Sequence, residues 1–175
     1  MICACSQSAV RDSDKAGKCQ GLDWYEIGRA DGASGASLAK LSEFDKICTS
    51  ETSKVNVELY TNGRTAGLLE FCTPTGGLEA GRRAMDYKSV CPDYLAEGFV
   101  RMFKLGKKIH DLELKSSDLQ SRIDDLHSLM QGLEHTESLS AQSEALEKRR
   151  AENAQAIASL ESEAERLVSQ NHRAD

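Results

Sequence analysis

Four internal cysteines, Cys19, Cys48, Cys72 and Cys91, carry the most definite chemistry in the sequence, and none follows Cys91. They can pair as disulfides or hold a metal. Four cysteines allow three pairings, and the sequence alone does not choose among them. Cys19 with Cys48 and Cys72 with Cys91 are the expected pairs, because each closes a short local loop and contributes on the order of 3 kcal/mol by restricting the unfolded chain. A zinc site is the competing reading. Structural zinc ligands usually come in pairs two to four residues apart, a spacing that none of these cysteines has, and no histidine precedes His110. A thioredoxin-like redox role would need a Cys-x-x-Cys pair, which is absent.

The remaining reactive side chains are less pointed. Glu26, Asp31, Asp45, Glu70 and Asp86 could supply paired carboxylates for glycoside hydrolysis, provided that two converge. No serine elbow, phosphate loop or histidine base accompanies them, so an enzyme is not expected, and no catalytic residue, metal ligand or cofactor is assigned. His110, His127, His135 and His172 fall in the second half of the chain, without converging partners. Trp24, Tyr25 and Tyr60 with Arg29, Arg64 and Arg82 make a possible basic aromatic patch for a sugar or anionic polymer such as peptidoglycan. Pairing of those arginines with Glu26, Asp31, Glu58 or Glu70 would use it up.

Net charge is −6 and the isoelectric point about 5.3, which removes the usual electrostatic drive toward nucleic acid. Only 5% of residues are aromatic and 39% hydrophobic, thin for a single globule of this length, so much of the chain is expected outside a compact core. No stretch approaches the roughly 18 apolar residues that span a bilayer.

The elements that must position these groups are announced by a quasi-repeat. Tyr25-Glu26-Ile27-Gly28-Arg29, with Gly32 after it, aligns at a shift of 35 with Tyr60-Thr61-Asn62-Gly63-Arg64, with Gly67 after it. Fainter copies are Leu78-Glu79-Ala80-Gly81-Arg82 and Phe103-Lys104-Leu105-Gly106-Lys107. The order is a bulky residue, a glycine three later, then a base, which keeps all three near one helical face. Glycine inside a helix costs about 1 kcal/mol relative to alanine. Recurrence therefore calls for a compensating gain, and close helix crossing at Gly28, Gly32, Gly63 and Gly67, under Tyr25 and Tyr60, is the expected one.

At the start of the chain Ile2, Cys3 and Ala4 precede Cys5, and Ser6 follows. These residues resemble a bacterial lipobox, in which cleavage before the cysteine leaves it carrying thioether-linked lipid. A secretory signal has a basic segment and roughly 7–15 apolar residues before the cut, so this reading takes Met1 to Ala4 as the end of one. Cys5 would then be a membrane anchor, and Ser6, being non-acidic, would direct the protein to an outer membrane. The competing reading is a soluble chain beginning with two exposed cysteines.

The segment Asp23 to Gly32, Cys48, the Tyr60 to Gly67 copy, Glu70-Phe71-Cys72-Thr73-Pro74, Gly81-Arg82, Val90-Cys91-Pro92 and Phe103 to Gly106 together resemble the bacterial envelope family called domain of unknown function 2799. The resemblance covers roughly residues 19 to 110. It implies a small secreted protein or lipoprotein with a helical tail, and brings no activity, cofactor or catalytic residue.

Helices are expected near 22–34, 37–48, 56–71 with Asn56 as its cap, and 77–84, with a long one from about Pro92; no alternating run suggests a strand. From Leu105 onward the leucines at 105, 112, 119, 126 and 133 recur every seven residues, with Ile109, Ser116, Ile123 and Met130 four later. A second series, Leu139, Leu146, Asn153, Leu160 and Leu167, is out of phase with the first across a break near Gly132. An antiparallel hairpin of two arms explains both; pairing of one continuous helix with a second chain is the alternative. The expected architecture is all-α: an N-terminal remnant and linker over 1–18, a disulfide-stapled helical domain over 19–104, and a coiled-coil hairpin over 105–175. Its expected setting is the cell envelope, outer-membrane-anchored and facing the periplasm. The expected role is structural or interaction-based, with an envelope protein or a second copy as partner.

Overall fold

The computed structural model describes residues 19–48 and 54–171. Cys3, Cys5 and His172 lie outside that range. Six helices and no strand occur among the described residues: α1 (Trp24–Ala33), α2 (Ala39–Ile47), α3 (Val57–Phe71), α4 (Pro74–Arg82), α5 (Asp93–Met130) and α6 (Glu137–Asn171). Local sequence sets their ends. Asp23 and Asn56 cap α1 and α3 by accepting from the backbone N–H groups of Glu26 and Leu59 at 3.1 and 3.0 Å, satisfying donors that a first turn leaves free. Helix α4 starts three residues before the expected 77, because Pro74 occupies the first helical position, where its missing N–H costs nothing. Helix α5 begins just after Pro92, whose carbonyl accepts from Ala96 N–H at 2.9 Å.

Both expected disulfides are formed, Cys19–Cys48 and Cys72–Cys91. All four cysteines are buried.

The chain divides into two compact units, and they do not follow the expected boundary at 104. The first comprises the residues up to Thr73 together with Tyr87–Ala96; the second comprises Pro74–Asp86 and everything from Glu97. The reason is the way the repeats pair. In the first unit α1 and α3 run parallel and in register. A Cβ added to Gly28 would strike the Tyr60 carbonyl oxygen, one on Gly63 would strike that of Tyr25, and Gly32 and Gly67 face the carbonyls of Arg64 and Arg29 in the same way. At the far side Trp24, Tyr60 and the Cys19–Cys48 disulfide form a core, covered by Ile27, Leu41, Phe44 and Val55. Phe44 meets Trp24 and Tyr60 edge to face, with ring centroids 5.5 and 6.1 Å away.

In the second unit the two fainter copies make a pair of the same kind. Gly81 on α4 faces the Phe103 carbonyl and Lys107 nitrogen of α5, and Gly106 faces the Leu78 carbonyl and Arg82 nitrogen. Leu78, Met102 and Leu105 then pack with Leu160, Ala164, Leu167 and Val168 of α6. Helices α5 and α6 form the antiparallel hairpin: Leu119, Ile123 and Leu126 meet Leu146, and His127 lies opposite Ser143. The turn uses Gly132 at φ +87°. Leu133, the last of the first leucine series, is 54% exposed there rather than seated in the seam. The helix has ended by then and the period no longer aims the side chain.

Candidate functional site

The most enclosed polar group in the first unit is Asp31, 6% exposed on α1 beside Gly32. Its Oδ2 accepts the Tyr60 hydroxyl proton at 2.9 Å, and its Oδ1 accepts from Lys40 Nζ at the start of α2. The pairing of copies explains how the carboxylate and the tyrosine meet, since Tyr60 stands against Gly28 one turn before Asp31. The pseudo-symmetry stops there. Thirty-five residues after Asp31 stands Ala66, so Tyr25 has no counterpart acceptor and is 37% exposed, while Tyr60 is fully buried. Burial first, then the hydrogen bond to Asp31 and its charge, push the Tyr60 hydroxyl up from 10.0 to about 12. The group therefore stays a protonated donor. With each carboxylate oxygen accepting from one donor, the cluster works as a polar clamp between α1, α2 and α3.

The arginines of the expected patch are each engaged internally. Arg29 bridges Glu26 at 3.0 Å and Glu70 at 3.2 Å, and these contacts, Glu26 foremost, hold its guanidinium above the usual range. Arg64 Nη2 donates to the Ala36 carbonyl at 2.9 Å, and its Nε is enclosed without an acceptor. Arg82 bridges Glu113 of α5 and Glu161 of α6 at 3.0 and 2.9 Å, which raises it too, Glu113 most strongly. Trp24 and Tyr60 are inside the core. Of the six residues singled out for a ligand surface, Tyr25 alone presents an exposed ring. The expected helix-packing role of Gly28, Gly32, Gly63 and Gly67 is what the backbone contacts display.

The carboxylates do not assemble a hydrolytic pair. Glu26 and Glu70 are brought together, but across the Arg29 guanidinium and at the surface, where both are over half exposed. Asp31 is occupied as described, Asp45 lies on the exposed face of α2, and Asp86 belongs to the second unit. Among the described residues no group of three histidine, cysteine or acidic side chains is placed to hold a metal ion.

One constellation escaped the sequence reading. Ser143 Oγ lies 2.9 Å from His127 Nε2, and Glu147 Oε1 lies 3.9 Å from the same nitrogen. These are the residue types of a nucleophilic triad, but the geometry is different: a triad places the carboxylate on the other ring nitrogen, and Ser143 is only 3% exposed. The contact is a polar pair across the hairpin seam. Its signal in the sequence was a polar residue, Ser143, four positions after Leu139 in the second series; the antiparallel register that places His127 opposite it was not legible.

The four-copy segment is where a family likeness falls. A family model described as "Protein of unknown function (DUF2799)" matches residues 23–108. Residues 23–108 therefore belong to the DUF2799 family. No curated protein and no solved structure matches the chain. The matched span opens on the α1 cap, Asp23, and closes one residue after Lys107, the base of the fourth copy. The DUF2799 domain thus contains both glycine-faced helix pairs, whereas the distal hairpin lies beyond it.

Proposed function

We propose that this protein is a cell-envelope lipoprotein with a structural or protein-interaction role: lipid-tethered at Cys5, outer-membrane-anchored, facing the periplasm, and offering its helical hairpin to an envelope protein or a second copy. The observation that carries the reading is the pair of buried disulfides, three of whose four cysteines lie within the DUF2799 domain. Disulfides persist in oxidising compartments, and a lipid on Cys5 accounts for the lipobox-like residues before it. Arginines spent on internal contacts favour assembly over a basic ligand surface.

Intact mass after expression in a Gram-negative host from the native upstream start, with alkylation before and after reduction, tests the setting. The reading expects a lipid adduct on Cys5 and four cysteines blocked until reduction. An unlipidated chain whose cysteines all alkylate directly would defeat it. The role is tested by shortening the hairpin. The Ile123–Leu146 and His127–Ser143 contacts set a register that puts Ser116 level with Asn153, so joining these two through the native turn 131–136 removes the distal arms. This spares Met102, Leu105 and Ala164, which a cut at residue 112 would strip of their cover. Loss of partner copurification supports the role, and unchanged copurification counts against it.

A further inference from the structure

Of the four bases that end the repeat copies, Arg29, Arg64 and Arg82 are engaged within the protein, and the Lys107 side chain has no ion pair or hydrogen bond among the described residues. Its surroundings are distinctive for an acidic chain. Between Glu97 and Asp111 on α5 the exposed residues are Arg101, Lys104, Lys107 and Lys108, all basic. The intervening positions are buried or half-buried, because Phe99, Met102, Leu105, Gly106 and Ile109 face the unit's interior. At helical spacing the four cations share one side of α5 and cover about 10 Å of its length. None pairs with Glu97 or Asp111 one turn away, nor with any other acid among the described residues. Other basic residues are diluted: Lys148, Arg149 and Arg150 stand between Glu147 and Glu152.

We infer that this side of α5 is a docking surface for an anionic phospholipid membrane, held through Arg101, Lys104, Lys107 and Lys108. The choice of a lipid surface rests on the membrane-tethered reading above; the charge arrangement stands without it. Complementarity is the argument. Basic residues held at a surface of anionic headgroups are attracted individually, and in a molecule of net charge −6 repulsion of the remaining surface orients this face toward the lipid. Long lysine and arginine side chains also reach the phosphate level while the helix stays in water.

The test uses the full chain with Cys5→Ser, so that lipidation does not enter, and sedimentation with vesicles of phosphatidylcholine containing about 30% phosphatidylglycerol. Binding is expected at about 0.05 M salt, absent on phosphatidylcholine alone, and released at about 0.5 M salt as the charges are screened. Lys104→Gln with Lys108→Gln should weaken binding roughly 25-fold, about fivefold per charge, while Lys104→Arg with Lys108→Arg retains it. The equal-charge control Lys148→Gln with Arg150→Gln should bind as the parent does. No binding to the anionic vesicles, equal binding to neutral ones, or an equal loss in the control overturns the inference, as does binding to isolated cell wall but not to vesicles. The outcome for Cys5 in the mass measurement is independent of all of these, so the two ideas fail separately.

Discussion

Gly28 and Gly63 are reciprocal partners: the hydrogen in place of a side chain on Gly28 points at the carbonyl of Tyr60, and that on Gly63 at the carbonyl of Tyr25. Contacts of this Cα–H to carbonyl kind contribute about 0.5–1 kcal/mol each, and the second unit repeats them at Gly81 and Gly106. Small-xxx-small crossings are best known between helices in membranes, where they allow backbones to approach closely. Here they join helices that carry polar outer faces, and no described helix is long and apolar enough to cross a membrane. The cost of glycine in mid-helix is thus offset by backbone-to-backbone packing, which also explains a domain with so few large apolar side chains.

Alanine at Gly28 or Gly63 should destabilise the protein by at least about 2–3 kcal/mol, since the methyl group meets partner backbone that can yield only by separating the helices. Gly98→Ala is the internal comparison. Its Cβ would meet only Pro74 Cγ, at 3.7 Å, so helix propensity should dominate and stability should hold or rise by up to about 1 kcal/mol. Thermal denaturation of the three variants checks this; equal losses at Gly28 and Gly98 would refute the close-crossing account.

Tyr60 should give the protein a distinct alkaline limb. Its folded value of about 12 lies above the ordinary 10.0, so the folded state holds this proton more tightly than the unfolded chain does. The associated stability is complete below pH 10 and is lost as pH rises toward 12. Tyr60→Phe removes the donor to Asp31 and should cost about 1–3 kcal/mol at neutral pH, because the carboxylate keeps only Lys40. Denaturant titrations from pH 8 to 12, taken as the difference between parent and variant, should converge as pH climbs. A constant difference would show that the tyrosine proton is not linked to folding.

Helices α1 and α4 end with the same hydrogen bonds but different residues. Gly35 and Ala36 donate to Gly32 and Asp31, as Ala84 and Met85 donate to Gly81 and Ala80. Gly35 takes φ +69° at ease, whereas Ala84 sits at φ +50°, a left-handed conformation that costs a residue with a side chain roughly 1–2 kcal/mol. Ala84→Gly should therefore stabilise the second unit by about 0.5–1 kcal/mol after allowance for the looser unfolded chain. Gly35→Ala should do the opposite and more, since its methyl group would also strike the Phe71 ring. Melting temperatures that move in the same direction for both would contradict the cap argument.

The particulars show where sequence reading holds and where it stops. Asp23 and Asn56 act through neighbours in the chain, so the helices near 22–34 and 56–71 were legible; the helix expected near 77–84 opens three residues earlier, at Pro74. The seven-residue leucine series and the break near Gly132 indicated the hairpin. The copies around Gly28 and Gly63 were recognised as packing sites, but spacing along one helix carries nothing about which copy pairs with which. The parallel pairing of the Leu78 and Phe103 copies, and with it the division into these two compact units, was not legible. The same gap concealed the meetings of Asp31 with Tyr60, Arg82 with Glu161, and His127 with Ser143, contacts made over distances at which the sequence has no period. The burial of Trp24 shows the converse risk, for an aromatic beside arginines reads as a surface until the fold encloses it.

The seam of the hairpin holds a polar interruption whose energetics can be read directly. Ser116 Oγ and Gln120 Oε1 are buried without a hydrogen-bond partner, whereas Ser143 Oγ has His127. A buried hydroxyl without a partner costs about 1–3 kcal/mol relative to one that is solvated or bonded. Ser116→Ala removes that cost for the loss of a single oxygen and should stabilise the hairpin by about 1 kcal/mol. Ser143→Ala should instead cost about 0.5–1.5 kcal/mol, the usual net worth of one hydrogen bond. The sign therefore separates the two serines, although both occupy seam positions of nearly equal sequence character. Denaturant midpoints monitored by far-ultraviolet circular dichroism measure it. Destabilisation by Ser116→Ala would mean that this hydroxyl is satisfied, and the hairpin's register would then owe more to its middle layer than to the leucines on either side.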